Sequence, residues 1–341
     1  MGKHWVKITF FMVLLFLSHS SIVYGETSNA TTQNENENNY TIAPVFGTTQ
    51  KQATSNFYDM TLHPNQTDTF KLVINNQAKE AQTFKVAVNT ATTNQNGIVD
   101  YTEASFEKDP SMTLSLKELV TPNTQEVTVA AGQSTTINFN ISMPSQAFDG
   151  ILLGGVTVRP QVKEQNKSGL QNIYMHTLAL RVNETEKEIP AKLIGGKVTI
   201  GQENRHNQVA MLLRNPQPKL LTEITGEFSI TKKGSSQKLV HTTKKDMSIA
   251  PNSQFMLPIP LNDDFHSGTY TYTVQLKNKN GSWHFSKDFT VDQKAASKYN
   301  ATSVDQPKQS TFSWWKTAVV VILIILLCLI CYRFGKNASK K

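Results

Sequence analysis

Phe70-Lys71-Leu72-Val73-Ile74 and Phe84-Lys85-Val86-Ala87-Val88 carry the reading of the fold. Apolar residues recur at every second position, the period of a strand that buries one face. Lys71 and Lys85 fall between apolar neighbours, on the face turned to water. Outward from these two segments, short runs rich in Val, Ile, Thr and Phe are broken by Gly, Pro, Asn and Asp at intervals of about 8–12 residues, the spacing of an all-β sandwich. The pattern predicts strands at 40–43, 57–62, 69–75, 82–89, 127–130, 135–141 and 151–159, with one helical turn within 113–119. A hairpin joins 156–162 to 173–182 across the polar turn 163–169 and completes a first domain over residues 40–183.

Glu184-Thr185-Glu186-Lys187-Glu188 before Pro190 reads as a charged linker. A second series of strands follows at 191–200, 208–214, 222–231, 239–247, 255–260, 269–277 and 282–291, with Asn280-Gly281 as a hairpin turn. The expected fold is therefore all-β: two tandem immunoglobulin-like β-sandwich domains, the second over 184–293. A polar stalk is expected at 294–311, and residues 26–39 read as a disordered leader.

Both ends carry membrane signals. Lys3 and Lys7, an apolar block from Ile8 to Leu17 and small residues before Glu26 follow the order of a secretory signal over residues 1–25. Residues 312–332 are apolar but for Ser313, Lys316 and Thr317, long enough to cross a bilayer of roughly 30 Å as a helix. Trp314 and Trp315 mark one interface, and the basic residues of 333–341 mark the cytoplasmic side. The expected topology is a single-pass membrane protein with its bulk on the cell surface.

That topology explains the charge. The formal net charge is +8, yet two of the 34 basic residues lie in the signal and five from Lys316 onward, leaving 27 basic against 26 acidic residues outside. Nucleic-acid binding by a basic patch thereby loses its motivation. Both cysteines, Cys328 and Cys331, lie in the apolar run. An external region without disulfides points to a Gram-positive bacterium rather than an animal cell.

The sequence contains no nucleophile elbow, no His-Glu-x-x-His and no phosphate-binding glycine loop, so the chain reads as a non-enzymatic binding protein without cofactor or metal. Asp263-Asp264 resembles a carboxylate pair but sits in an ordinary turn context. From Thr92 to Glu103, Asn94, Asn96, Gly97, Asp100 and Glu103 fall at calcium-loop spacing, but Thr92 stands where the leading Asp belongs. A plain Asn/Gly connection between strands is the preferred reading.

Asn89-Thr90-Ala91-Thr92-Thr93-Asn94-Gln95-Asn96-Gly97-Ile98-Val99-Asp100-Tyr101 resembles a signature of the WxL-interacting surface proteins of low-GC Gram-positive bacteria. Tyr58-Asp59-Met60-Thr61-Leu62-His63-Pro64-Asn65-Gln66 and Phe148-Asp149-Gly150-Ile151-Leu152-Leu153-Gly154-Gly155 match as well. The resemblance implies a peptidoglycan-binding domain, a host-binding domain and secreted WxL-domain proteins as partners, with host extracellular-matrix proteins as ligands of the second domain. It also allows a domain boundary near residue 172.

Wall glycan and stem peptide present hydroxyls, amides and carboxylates, which placed amide and hydroxyl side chains recognise. Asn89, Thr92, Asn94, Asp100, Tyr101 and Asp149 are the candidates for peptidoglycan. The same residue types also hold turns together through Asx bonds, and both readings stand. Tyr270, Tyr272 and Trp283 are the candidates for a protein-binding face, although aromatics on a sandwich also serve as core. Two alternatives differ in class: a wall-active enzyme or enzyme subunit, and a structural receptor for secreted surface proteins without wall affinity.

Overall fold

The structure is a computed structural model that describes residues 39–51, 56–161, 173–305 and, near the C-terminus, 319, 321–327, 329, 330 and 333. The expected signal, the leader up to residue 38, the 163–169 turn and most of the cytoplasmic tail lie outside the described residues.

The first sandwich is built from β1 (Tyr40–Val45), β2 (Tyr58–Thr61), β3 (Thr67–Asn76), β4 (Gln82–Thr90), β5 (Thr92–Thr93), β6 (Val99–Asp100), α1 (Leu116–Leu119), β7 (Val120–Thr121), β8 (Thr124–Val129), β9 (Ser134–Ser142), β10 (Ile151–Pro160) and β11 (His176–Asn183). One sheet has the order β1-β3-β9-β7, the other β2-β11-β10-β4-β8. Alternation decides which side chains meet between them: Phe70, Leu72 and Ile74 of β3 and Phe84, Val86 and Val88 of β4 are fully buried, while Lys71 and Lys85 are exposed. Phe70 stacks on Phe139 with centroids 5.1 Å apart, and Tyr58 tilts against Phe70 at 4.8 Å. The Tyr58 hydroxyl donates to the Lys71 carbonyl at 2.7 Å, so this core phenol is satisfied.

Strand β10 explains the segment Ile151-Leu152-Leu153-Gly154-Gly155-Val156. Such a continuous apolar run belongs to a strand covered on both faces. Leu152, Val156 and Val158 enter the sandwich core, while Leu153 enters a separate small cluster on the other face. The two glycines mark close approaches. A Cβ on Gly154 would overlap the Asn89 carbonyl oxygen and meet Leu116 Cδ2 at 2.5 Å, and one on Gly155 would meet the Tyr101 Cβ at 2.8 Å. Because the Asn89 oxygen belongs to the neighbouring strand, Gly154→Ala is expected to destabilise the protein by about 2–3 kcal/mol. Urea denaturation measures this, and an unchanged midpoint would mean that β4 yields.

The second sandwich comprises β12 (Ile194–Glu203), β13 (His206–Asn215), β14 (Leu221–Lys232), β15 (Lys238–Ile249), β16 (Ser253–Pro260), β17 (Gly268–Asn278), β18 (Gly281–Val291) and α2 (Gln293–Asn300). Its sheets run β12-β13-β16 and β15-β14-β17-β18. Val209, Met211, Leu213, Phe228, Val274 and Leu276 are among the buried residues between them. The β17–β18 turn falls one residue earlier than expected: Asn278 pairs with Gly281, and Lys279-Asn280 form the bend.

Two expectations need correction or closer definition. The stalk does not begin at residue 294. Asp292 caps α2 by accepting from the Ala295 N–H at 2.7 Å, Ala296 is buried in the second core, and Asp305 reaches His206 at 2.7 Å. A two-turn helix with one buried alanine leaves almost no hydrophobic period to read. As for the membrane helix, no helix among the described residues is long and apolar enough to cross a membrane. Residues 319, 321–327, 329, 330 and 333 are helical, and Val321, Leu323, Ile325 and Leu327 among them are exposed.

Candidate functional site

The connection from β4 to α1 reads in the sequence as an Asn/Gly link whose side chains either bind the wall or hold a turn. It is the joint between the two sandwiches. β5 and β6 pair as a short hairpin, with Thr92 opposite Asp100 and Thr93 opposite Val99. The turn closes because the Asn94 side-chain oxygen accepts from the N–H groups of Asn96 (2.9 Å) and Ile98 (3.1 Å), and Gly97 takes a φ of 74°, a left-handed conformation suited to glycine. This Asx arrangement is the local reason for the Asn-Gln-Asn-Gly composition.

The hairpin tip then docks on the second domain. The Ser248 N–H donates to the Gly97 carbonyl at 2.7 Å, and the Val99 N–H donates to the Ser248 hydroxyl at 3.1 Å. Thr93 Oγ1 accepts from the Ala250 N–H at 3.0 Å and lies 2.9 Å from Ser253 Oγ. Ala91, Leu153 and Ala250 form a small buried cluster with Val99, Tyr101 and Leu220 packed on it. Gly150, at φ 83°, lets the chain approach Pro218, whose carbonyl accepts from the Ile151 N–H at 2.8 Å. The quoted signature segments around residues 89–101 and 148–155 thus meet at one place, and that place is the domain boundary.

One ion pair closes the joint. The Arg214 guanidinium on β13 donates through Nε to Asp109 Oδ2 at 2.6 Å and through Nη2 to Oδ1 at 3.0 Å. The Asp109 side chain is 0% exposed and that of Arg214 26%. Burial alone would raise the Asp109 pKa. The bonds from Arg214 and from the Ser111 N–H outweigh it and hold the carboxyl below its usual range, while Asp109 raises Arg214. Neither residue was singled out from the sequence, because nothing in a Lys108-Asp109-Pro110 connection announces a partner 105 positions away.

Beside the joint lies a cleft of about 980 Å³. Its floor is the outer face of the sheet β12-β13-β16, with Lys197, Thr199, Leu212, Gln254 and Met256. Its wall is the first domain's connection, with Asn94, Asp100, Glu103, Phe106 and Glu107. Four lining carboxylates, Asp100, Glu103, Glu107 and Glu203, face one lysine, Lys197. Parity explains the floor: alternate residues of the same strands, such as Val209, Met211, Phe255 and Leu257, fill the core, which leaves their neighbours outward.

The six expected wall-binding residues separate into three groups. Thr92, Asn94 and Asp100 line the cleft. Asn89 and Tyr101 belong to the joint: Asn89 is buried and donates to the Tyr101 carbonyl at 2.9 Å, and burial pushes the Tyr101 phenol up. Asp149 lies on a different connection, 2.6 Å from Lys187 Nζ. No group of three or more His, Cys, Asp or Glu able to hold a metal occurs among the described residues.

The aromatic expectation also needs correction. Tyr272 cannot meet a partner, because it is fully buried and its hydroxyl donates to the Leu257 carbonyl at 3.1 Å. Trp283 is half-buried against the second core. Tyr270 stacks on Phe289 at 5.6 Å and donates to the His266 carbonyl at 2.9 Å. The three side chains share one face of the β17–β18 ladder, Tyr270 opposite Phe289 and Trp283 opposite Leu276, and that face is the one packed on the second core rather than one turned to a partner.

Comparison with known proteins adds the family. Residues 40–160 match the WxL Interacting Protein peptidoglycan binding domain and residues 165–301 its host binding domain. β11, inside the second match, is nonetheless a strand of the first sandwich, paired with β10 and β2. No curated protein matched. Among solved structures, the class 5 fimbriae chaperone CfaA is 13% identical, covering 73% of this chain and 99% of its own, with a TM-score of 0.28. The Escherichia coli chaperone DraB is 15% identical, covering 68% and 93%, at 0.26. The Pseudomonas aeruginosa CupB2 chaperone is 12% identical, covering 66% and 93%, also at 0.26. Scores this low carry nothing about activity.

Proposed function

The chain belongs to the WxL-interacting protein family, a peptidoglycan-binding domain followed by a host-binding domain, and from that premise we propose that it grips the cell wall in the cleft beside the joint. Both matched modules are binding domains, and the surface-binding role follows from them. The observation that carries the cleft is its size and lining. A volume of about 980 Å³ accommodates a saccharide with part of its stem peptide. Asn94, Thr199 and Gln254 supply amide and hydroxyl partners, and Phe106, Leu212 and Met256 supply apolar surface for a sugar face. The excess of carboxylates favours a stem peptide that carries a free amine.

Because the floor comes from the second sandwich, wall binding in this reading needs both domains docked. The exposed apolar helix around residues 321–330 supports a membrane anchor, as the run 312–332 suggests. Secreted WxL-domain proteins are the proposed partners of the anchored molecule, on family grounds.

Sedimentation of the detergent-solubilised full chain with insoluble peptidoglycan tests the cleft. Asn94→Ala or Phe106→Ala is expected to weaken binding about tenfold, the worth of one lost contact of roughly 1.4 kcal/mol. Asp149→Ala, outside the cleft, is expected to leave binding unchanged. Wild-type protein that stays in the supernatant would remove the wall reading; equal losses in all three variants would remove the cleft.

A further inference from the structure

A second, smaller pocket of about 150 Å³ opens in the second sandwich. It shares no lining residue with the cleft. Leu239 and Val240, at the start of β15, line it, while Ser248, near the end of that strand, serves the joint. Nine residues of extended chain separate the two by roughly 30 Å.

The pocket has two kinds of wall. Val209, Ile230, Phe289 and Val291 are buried core residues that form an apolar lining, and Tyr270 stands beside them. Leu239 is 54% exposed, and Asp263 and His266 are exposed as well, so these three form the rim. Between lining and rim sits Asp264. Its Oδ1 is buried and meets no hydrogen-bond partner. Neither Asp263 nor Asp264 takes part in an ion pair among the described residues.

A pocket well below the roughly 300 Å³ of small-molecule sites admits a single side chain. The open question is which one. A purely apolar side chain would leave the buried Asp264 oxygen unpaired, at a cost a donor would remove. An acidic one would meet two carboxylates of its own sign. Lysine and arginine have what the pocket lacks: methylenes that pack on apolar walls and a cationic head that donates charge-assisted hydrogen bonds to a carboxylate.

We infer that this pocket is the anchor site of the host-binding domain and that it receives one basic side chain of a protein ligand, its methylene stem against Val209, Val240 and Phe289 and its cation on Asp264. The inference rests on the host-binding reading of the domain and names the chemistry of its ligand. Tyr270 serves there as lining. Of the Asp263-Asp264 pair, Asp264 holds the cation and Asp263 stands at the rim.

The test uses the full chain in detergent micelles and follows the methyl resonances of Val209, Leu239, Val240 and Val291 while N-acetyl-arginine amide is titrated in. Saturable shifts are expected in these methyls. The neutral isostere N-acetyl-citrulline amide should bind at least tenfold more weakly, and Asp264→Asn should abolish that preference. Leu239→Trp, which narrows the rim without touching the carboxylate, should weaken both ligands. Equal binding of arginine and citrulline amides, or an Asp264→Asn protein that keeps the preference, overturns the inference.

Capture of an immobilised extracellular-matrix protein separates the two readings. If Asp264→Asn captures it as well as wild type, the pocket is not the anchor, although the domain binds hosts. If wild type captures none yet binds arginine amide in these methyls, the pocket stands and the host reading falls.

Discussion

Arg214→Ala is expected to undock the two sandwiches, with a loss of about 3 kcal/mol. Asp109 has no exposed side-chain surface, so removing the guanidinium strands a buried carboxylate, a change that costs about 3–5 kcal/mol when one partner of a buried pair is lost. Partial exposure of Arg214 places the effect at the lower end. Calorimetry checks this: wild type should melt with its domains coupled, and the variant should show the two transitions separated. Arg214→Lys keeps the charge but loses the two-pronged geometry, so it should recover only part. Arg214→Met combined with Asp109→Asn removes both charges and should recover most of the loss, since a neutral pair pays no ionic desolvation.

The same pair sets an acid limit. Asp109's pKa is lowered in the folded protein. Its contribution is therefore fully present above the ordinary carboxylate range and is lost as pH falls through the depressed value. The domains are expected to undock on acidification below about pH 4, and wall sedimentation, which in our reading needs the docked cleft, should fall with them. Retention of binding in undocked protein would show that the first domain alone holds the wall.

Tyr272→Ala is expected to cost about 3–5 kcal/mol through the cavity left by a fully buried ring. Tyr272→Phe should cost only about 1 kcal/mol, the worth of the hydrogen bond to the Leu257 carbonyl. Chemical denaturation gives both values. Capture of host protein, measured per folded molecule, should be unchanged in Tyr272→Phe. A specific loss of capture at wild-type stability would mean that this ring reaches a partner, contrary to its burial.

Tyr270 and Tyr272 show where sequence pattern stops being informative. Thr269-Tyr270-Thr271-Tyr272-Thr273-Val274 announces a strand through its period of two, and a strand it is. Period alone leaves open which of the two faces is inside, and Tyr suits either one, having an apolar ring and a polar tip. Lys71 and Lys85 carried that choice for β3 and β4, because an unpaired ammonium does not enter a core. No charge interrupts the tyrosines. The Asn/Thr-rich segment after β4 was ambiguous in another way: hydroxyls and amides that recognise a sugar are the groups that hold a hairpin onto a neighbouring domain. In the structure Thr93 bonds to the second domain, Asn94 closes its own turn, and Thr92, Asn94 and Asp100 line the cleft.

The sequence by itself determined the class of the fold, its division into two sandwiches and the family, because alternation, turn residues and short signatures are local and survive without knowledge of what packs where. Tertiary structure alone decided that the signature segments form a joint, that Asp109 meets Arg214, and that the outer face of β12-β13-β16 becomes the floor of a cleft. Each of these depends on contacts between residues about a hundred or more positions apart. Such contacts follow from how two finished sandwiches fit together, and no local pattern encodes that fit.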